Sequence, residues 1–264
     1  KISIPILLFL FSSFIGSQCL SLSSVDSQQL GFRKLPSLNK FTTPPMILDK
    51  VQRLQASKLV LASGSPRRKE ILNDLMKLGV EIIPSTFEEN LDKSQFTPET
   101  YVQENARLKA LEVWSRLASA GNIPDLVIGS DTVVTFDGHI LEKPRDKQDA
   151  MRMLGILSGR DHTVFSGVAL LYRNPAADVD TPAEHCFVEG TQVTFAELST
   201  QVIEAYVETG DPMDKAGSYG IQSMGGALVR GIRGCFYNVM GFPLHRFCVE
   251  LSSLITDGRL ALAK

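Results

Sequence analysis

The sequence predicts an α/β fold in which a mixed central sheet is flanked by helices. Apolar runs of strand length alternate with helical patterns along most of the chain. A strand, a small-residue turn and a helix start follow one another between Lys58 and about Leu78. Leu126–Val134 is an apolar run rich in β-branched residues and reads as a buried strand, although it carries an acid, Asp131, in its middle. The full order is β-α-β-α-β-β-α-β-β-α-α.

Lys58–Ala62 is a short strand that leads into Ser63-Gly-Ser-Pro-Arg-Arg68. The helix from Pro66 to about Leu78 has Ser65 as its N-cap and Pro66 at the first helical position. Ile71, Leu72, Leu75 and Met76 form its buried stripe, and Gly79 closes it. Val80–Pro84 is the second strand and leads to the acidic loop Phe87-Glu-Glu-Asn90. Thr97-Pro98 opens a helix to about Ser119, with Val102, Ala106, Ala110, Val113, Trp114 and Leu117 on its apolar side. Lys109, on the polar side, reads by itself as a solvated lysine.

After the strand containing Asp131, the Asp137-Gly138 turn signals a hairpin through Ile140. A helix from about Asp146 to Leu157 ends at Ser158-Gly-Arg160, and Thr163–Tyr172 and Cys186–Phe195 are strands. Between them, Asn174–His185 is a loose Pro/Ala/Asp insertion. Ser199 caps a helix to Glu208, Gly210–Gly241 is a long glycine-dense polar loop, and Pro243–Ile255 is the final helix.

The 264 residues are 44% hydrophobic and carry a formal net charge of -2, so no global basic field argues for a nucleic-acid polymer as partner. Any anionic substrate must be held by a local cluster of cations. Cys19, Cys186, Cys235 and Cys248 form no metal-like spacing and read as reduced thiols. The four histidines are scattered and read as structural.

Residues 1–45 are expected to be a leader or disordered segment, with one globular domain over 46–264. Ile4–Ile15 resembles a signal-peptide core that is too short to span a bilayer, and no stable membrane association is expected. The Ser-rich stretch up to residue 45 is transit-like, whereas Met46 offers a cytosolic start.

A carboxylate inside an apolar strand is costly unless it is paired, hydrogen-bonded or holding a metal. The plain alternative for Asp131 is a quiet core salt bridge. The Ser63–Arg68 turn presents backbone N–H groups and a positive helix end to an anion. Two arginines in a first helical turn oppose the dipole unless a phosphate offsets them; the plain alternative is a solvated surface pair. Taken with Glu89, Lys109, Lys143, Asp214, Lys215 and Gln222, these residues suggest a triphosphate bound with a divalent metal.

Ser63-Gly-Ser-Pro-Arg-Arg68, Gly129-Ser-Asp-Thr-Val-Val134, Glu142-Lys-Pro144, Ser158-Gly-Arg160 and Asp214-Lys-Ala-Gly-Ser-Tyr-Gly-Ile-Gln222 closely resemble the Maf family of nucleotide pyrophosphatases, in the family's order. The resemblance implies two lobes with a cleft between them, as in the inosine-triphosphatase architecture. It also implies hydrolysis of a nucleoside triphosphate to monophosphate and pyrophosphate, a divalent cation (Mg²⁺ or Mn²⁺), a homodimer and a cytoplasmic setting. On the leader's evidence, a secretory or organellar setting is the alternative.

By the same resemblance, Asp131 is the proton acceptor and, with Glu89, a metal ligand. Ser63, Arg67, Arg68, Lys109, Thr132, Lys143 and Gln222 bind substrate, with Arg67, Thr132 and Gln222 at discriminating positions. Ile221-Gln222 resembles the branch acting on dTTP and UTP. The alternatives are a 7-methyl-GTP- or ITP-directed pyrophosphatase, or a nucleotide-binding regulator of cell division that does not turn substrate over.

Overall fold

The computed structural model describes residues 46–174 and 181–263; the leader expectation and residues 175–180 of the insertion lie outside them. The elements are α1 (Val51–Gln55), β1 (Leu59–Leu61), α2 (Pro66–Lys69), β2 (Glu81–Ile82), α3 (Pro98–Ser119), β3 (Leu126–Phe136) and β4 (His139–Leu141). They continue with α4 (Lys147–Leu157), β5 (Asp161–Tyr172), β6 (Ala183–Phe195), α5 (Thr200–Glu208), β7 (Val229–Arg233), α6 (Phe236–Met240) and α7 (Leu244–Thr256). The strands form one mixed sheet in the order β2-β1-β3-β5-β6-β7.

The long strand β3 is the spine. It pairs antiparallel with β5 from Leu126 to Thr135. On its other side it meets two separate neighbours. Parallel β1 covers Leu126–Ile128, and antiparallel β4 covers Val134–Phe136. Residues 129–133 therefore have no strand beside them on that side. Asp131 lies at the midpoint of this gap.

Alternation along the strands assigns the two faces. Val127, Ala169 and Leu171 pack against Ala106, Ala110, Val113 and Trp114 of α3. On the opposite face, Ile128, Val168 and Leu170 pack against Phe247, Leu251 and Leu254 of α7. Those three α7 side chains alone contribute roughly 5–9 kcal/mol of burial before entropy is charged. Further along the same face, Val134, Val164 and Val193 pack against Ala150, Met153 and Leu157 of α4 and Ile203 and Val207 of α5. Two helical groups thus flank the middle of β3.

α3 starts where Thr97-Pro98 directs it: Thr97 and Thr100 exchange reciprocal side-chain-to-backbone hydrogen bonds of 3.3 and 2.9 Å. The Asp137-Gly138 turn, with φ of 48° and 76°, makes the expected hairpin. Gly129 and Gly167 bring α3 down onto the sheet, because a Cβ at either would lie 2.1 Å from the Ala106 carbonyl oxygen or 2.4 Å from that of Val102.

Several expectations are corrected. The helix from Pro66 is α-helical only to Lys69 and continues as a π turn over Glu70–Leu75. The wider turn shifts the phase, so Leu75 is 49% exposed instead of buried, while Ile71 and Leu72 stay in the core. Ser65 stands at the N-cap without a side-chain cap bond. β6 begins at Ala183, three residues before Cys186, which shortens the insertion. The Gly210–Gly241 segment is not one loop: it holds three 3₁₀ turns, β7 and α6.

His162 and His185 are structural as expected, bonded to Tyr219 at 2.8 Å and Glu250 at 2.7 Å. Cys186, Cys235 and Cys248 are free thiols. No helix among the described residues is long and apolar enough to cross a membrane.

Candidate active site

A cleft of about 650 Å³ opens at the gap beside β3. Ser63, Arg67, Arg68, Glu89, Lys109, Asp131, Thr132, Lys143 and Gln222, to which the resemblance gives site roles, all line it, as do Asp214 and Lys215.

Asp131 is buried, with 7% of its surface exposed, and it is paired on both oxygens. Lys109 Nζ lies 2.9 Å from Oδ1, and Asn105 Nδ2 donates to Oδ2 at 3.3 Å. Asn105 and Lys109 are four residues apart, one above the other on the face of α3 that the two glycines bring close. Lys109 is buried and not solvated, because Nζ also meets Glu89 Oε1 at 2.8 Å. One ammonium therefore bridges two carboxylates that would otherwise repel, leaving one negative charge of the trio uncompensated.

This donor set bears on a metal. Among the described residues no group of three or more His, Cys, Asp or Glu is placed to hold an ion. Glu89 and Asp131 are two carboxylates sharing one cation. Mg²⁺ commonly takes one or two carboxylates and completes its shell with water and substrate phosphate, so the pair fits such an ion.

The arginine turn divides its labour. Arg68 is fixed by three acceptors: Gly241 O for Nε at 2.9 Å, Ser63 Oγ for one terminal nitrogen at 3.0 Å and Thr132 Oγ1 for the other at 3.1 Å. Two of its five N–H groups remain for a ligand. Burial holds its guanidinium below the ordinary value, partly offset by the Asp131 charge. Arg67 reaches across to Asp214 Oδ2 at 2.9 Å.

Asp214 also accepts from Lys215 at 2.7 Å, and Lys215 meets Asp211 Oδ1 at 3.1 Å. Burial pushes both carboxyls up, but their hydrogen bonds outweigh it and hold them below the usual carboxylate value. Asp211 in turn accepts from Tyr206 and Ser223, each at 2.7 Å, and so braces the segment carrying the exposed Gln222. Lys143, exposed just beyond β4, completes the cationic rim.

The structure adds residues that the sequence reading left out of the site. Asn105 contacts Asp131 directly. Tyr101, whose hydroxyl is pushed up to about 12 by burial, donates to Glu142 Oε1 at 3.2 Å, and Glu142 pairs with Lys93 at 2.9 Å. Ser166 lies 2.8 Å from Thr132 Oγ1. Ser166 was detectable by the signal that revealed Asp131, a polar residue inside an apolar run, Val164-Phe-Ser-Gly-Val. Asn105 carried no such signal, since it sits on a mixed helix.

Residues 58–254 match the model of a family described as Maf-like protein. The human probable bifunctional dTTP/UTP pyrophosphatase/methyltransferase protein is 51% identical over 207 residues, covering 77% of this chain; the chain spans 33% of that longer protein. The dTTP/UTP pyrophosphatase of Clostridium perfringens (strain 13 / Type A) is 47% identical over 196 residues, covering 74% of this chain and 96% of the relative. That of Thermococcus onnurineus (strain NA1) is 46% identical over 186 residues, covering 70% and 92%. The Ham1 protein of Staphylococcus aureus aligns over 76% of this chain and 99% of that one, but at a TM-score of 0.38 and 13% identity it is too distant to bear on the fold. The family match extends from the strand before the arginine turn into the last helix, and on that basis the chain belongs to the Maf family.

Proposed function

We propose that the chain is a nucleoside triphosphate pyrophosphatase that cleaves nucleotides of the dTTP and UTP type to the monophosphate and pyrophosphate. The observation that carries this reading is the Asp131 carboxylate, buried at the cleft wall and held from one side by Lys109 and Asn105. A carboxylate has about four lone-pair positions, so two bonds leave it able to accept a proton. The names of the relatives support the base preference.

In this reading the nucleotide lies across the gap in the sheet with its phosphates toward the arginine turn. Water attacks the α-phosphorus in line with the departing pyrophosphate, and Asp131 takes the proton. Arg67, Arg68, Lys109 and Lys143 stabilise the charge that develops on the leaving group, with Ser63 and Thr132 holding Arg68 in place. Gln222 presents both a donor and an acceptor to the base edge. Glu89 and Asp131 would hold a divalent cation, Mg²⁺ or Mn²⁺, whose contribution is to neutralise charge on the phosphoryl oxygens. By likeness to the family we also infer a homodimer and a cytoplasmic setting, the first of which sedimentation would test.

Asp131→Asn keeps the shape and removes the base. It should lower pyrophosphate release from dTTP by about 10²–10⁴-fold while the protein stays folded and binds nucleotide. Turnover near the wild-type rate in that variant would refute the assignment. A wild-type protein that binds dTTP with Mg²⁺ but releases no pyrophosphate would point to a binding protein instead.

A further inference from the structure

Asn238 sits in α6 with none of its surface exposed, yet it places an amide among apolar neighbours. Its Nδ2 donates to Val164 O at 3.0 Å and to Thr191 Oγ1 at 3.1 Å. A backbone carbonyl can only accept, which settles the orientation of the amide. Its Oδ1 has no partner among the described residues, so only the two donors of its amide tie the side chain to the sheet.

Thr191 is equally buried and grips the same segment one turn earlier. Its Oγ1 accepts from the Cys235 N–H at 3.1 Å and lies 3.2 Å from the Cys235 carbonyl. The backbone carbonyl of Asn238 accepts from Ser166 Oγ at 3.2 Å. β5 and β6 therefore fasten residues 235–238 at three points. Three residues on, Gly241 adopts φ 121°, a conformation that favours glycine, and its carbonyl receives Arg68 Nε at 2.9 Å and Thr132 Oγ1 at 3.2 Å.

We propose that Asn238 is a positioning residue for Arg68: by pinning the 235–241 segment to β5 and β6, it sets the Gly241 carbonyl that aims the guanidinium into the cleft. The inference rests on the reading that Arg68 holds substrate phosphate. An arginine tied at all three nitrogens before the nucleotide arrives needs no reorganisation on binding. Removing the anchor leaves Arg68 present but misdirected.

A double-mutant cycle on the full chain, reading kcat/KM for dTTP with Mg²⁺ and the melting temperature, tests this. Arg68→Lys, which cannot reproduce the planar fork, should lower kcat/KM by about 30-fold or more. Asn238→Ser and Thr191→Val should each lower it about tenfold in the wild-type background but less than about threefold once Arg68 is lysine, because the loss passes through Arg68. Thr191→Ser, which keeps the hydroxyl, should restore wild-type behaviour.

If Asn238→Ser does not fold, the near-isosteric Thr191→Val carries the cycle alone. The same tenfold loss in both backgrounds, or a Thr191→Val protein with wild-type kcat/KM, overturns the inference. Wild-type activity in Arg68→Lys would instead remove the reading of Arg68 on which it rests.

Discussion

Gly129→Ala places one methyl group where α3 meets β3, and the structure sets the size of the effect. The new Cβ would lie 2.1 Å from the Ala106 carbonyl oxygen and 2.8 Å from Ala110 Cβ, whereas ordinary contact begins near 3.4 Å. Closing the worse of these clashes requires α3 to retreat by about 1.3 Å, the difference between 3.4 and 2.1 Å. Asn105, already 3.3 Å from Asp131, then passes out of hydrogen-bond range, and Lys109 must stretch to follow. A displacement of roughly 1 Å at a reacting group costs on the order of 10²-fold in turnover. Overpacking costs about 1–3 kcal/mol, or roughly 2–12 °C in melting temperature for a domain of this size.

The assay is pyrophosphate release together with thermal unfolding. Gly231→Ala serves as the control, because beyond its own chain neighbours nothing lies within 4 Å of the Cβ it would add on the exposed strand β7. Wild-type turnover and melting temperature in Gly129→Ala would refute the idea that the closeness of α3 to the sheet positions Asp131.

Three further outcomes are expected. Gln222→Ala should change the ratio of kcat/KM among dTTP, UTP, ITP and 7-methyl-GTP more than it changes the best of them, and equal losses on all four would remove Gln222 from base reading. Chelation by EDTA should abolish turnover, with Mg²⁺ or Mn²⁺ restoring it, and chelator-insensitive hydrolysis would count against a cation held by Glu89 and Asp131. His162 is pushed down to about 4 by burial, so the unfolded chain binds a proton below about pH 6.5 that the native chain refuses. Its contribution is therefore present above that pH and lost as pH falls. Urea titrations should show about 2 kcal/mol of stability lost between pH 7 and pH 5 on its account, and His162→Gln should flatten the slope; an unchanged slope would contradict this.

Much of the site was legible because its signals are local. Asp131 stood out as an acid in an apolar strand, the arginine turn as a helix start carrying charges of the wrong sign for its dipole, and the hairpin as an Asp-Gly pair. Features set by distant packing were not legible. Nothing in Gln103-Glu-Asn-Ala-Arg-Leu-Lys109 says that Lys109 is buried, since that depends on Gly129 and Gly167 in other elements. The π turn that exposes Leu75 follows an α-helical pattern in sequence. β7 and α6 are short and lie among glycines, so their existence rests on pairing with β6 and on the anchor at Asn238.

The sheet is continuous on one side of β3 and interrupted on the other, and this sets the mechanics of the cleft. The first part of the strand carries β1 and the arginine turn; the last part carries β4 and leads to Lys143. What joins them is an unbroken ladder from Leu126 to Thr135 with β5, which pairs in turn with β6. Any opening of the cleft must deform that ladder, whose conformationally freest positions are Gly129 and Gly167 beside Asp131. Both walls of the cleft are thus mounted on a single pair of strands, so a change at one end of the β3–β5 ladder is carried to the other through backbone hydrogen bonds.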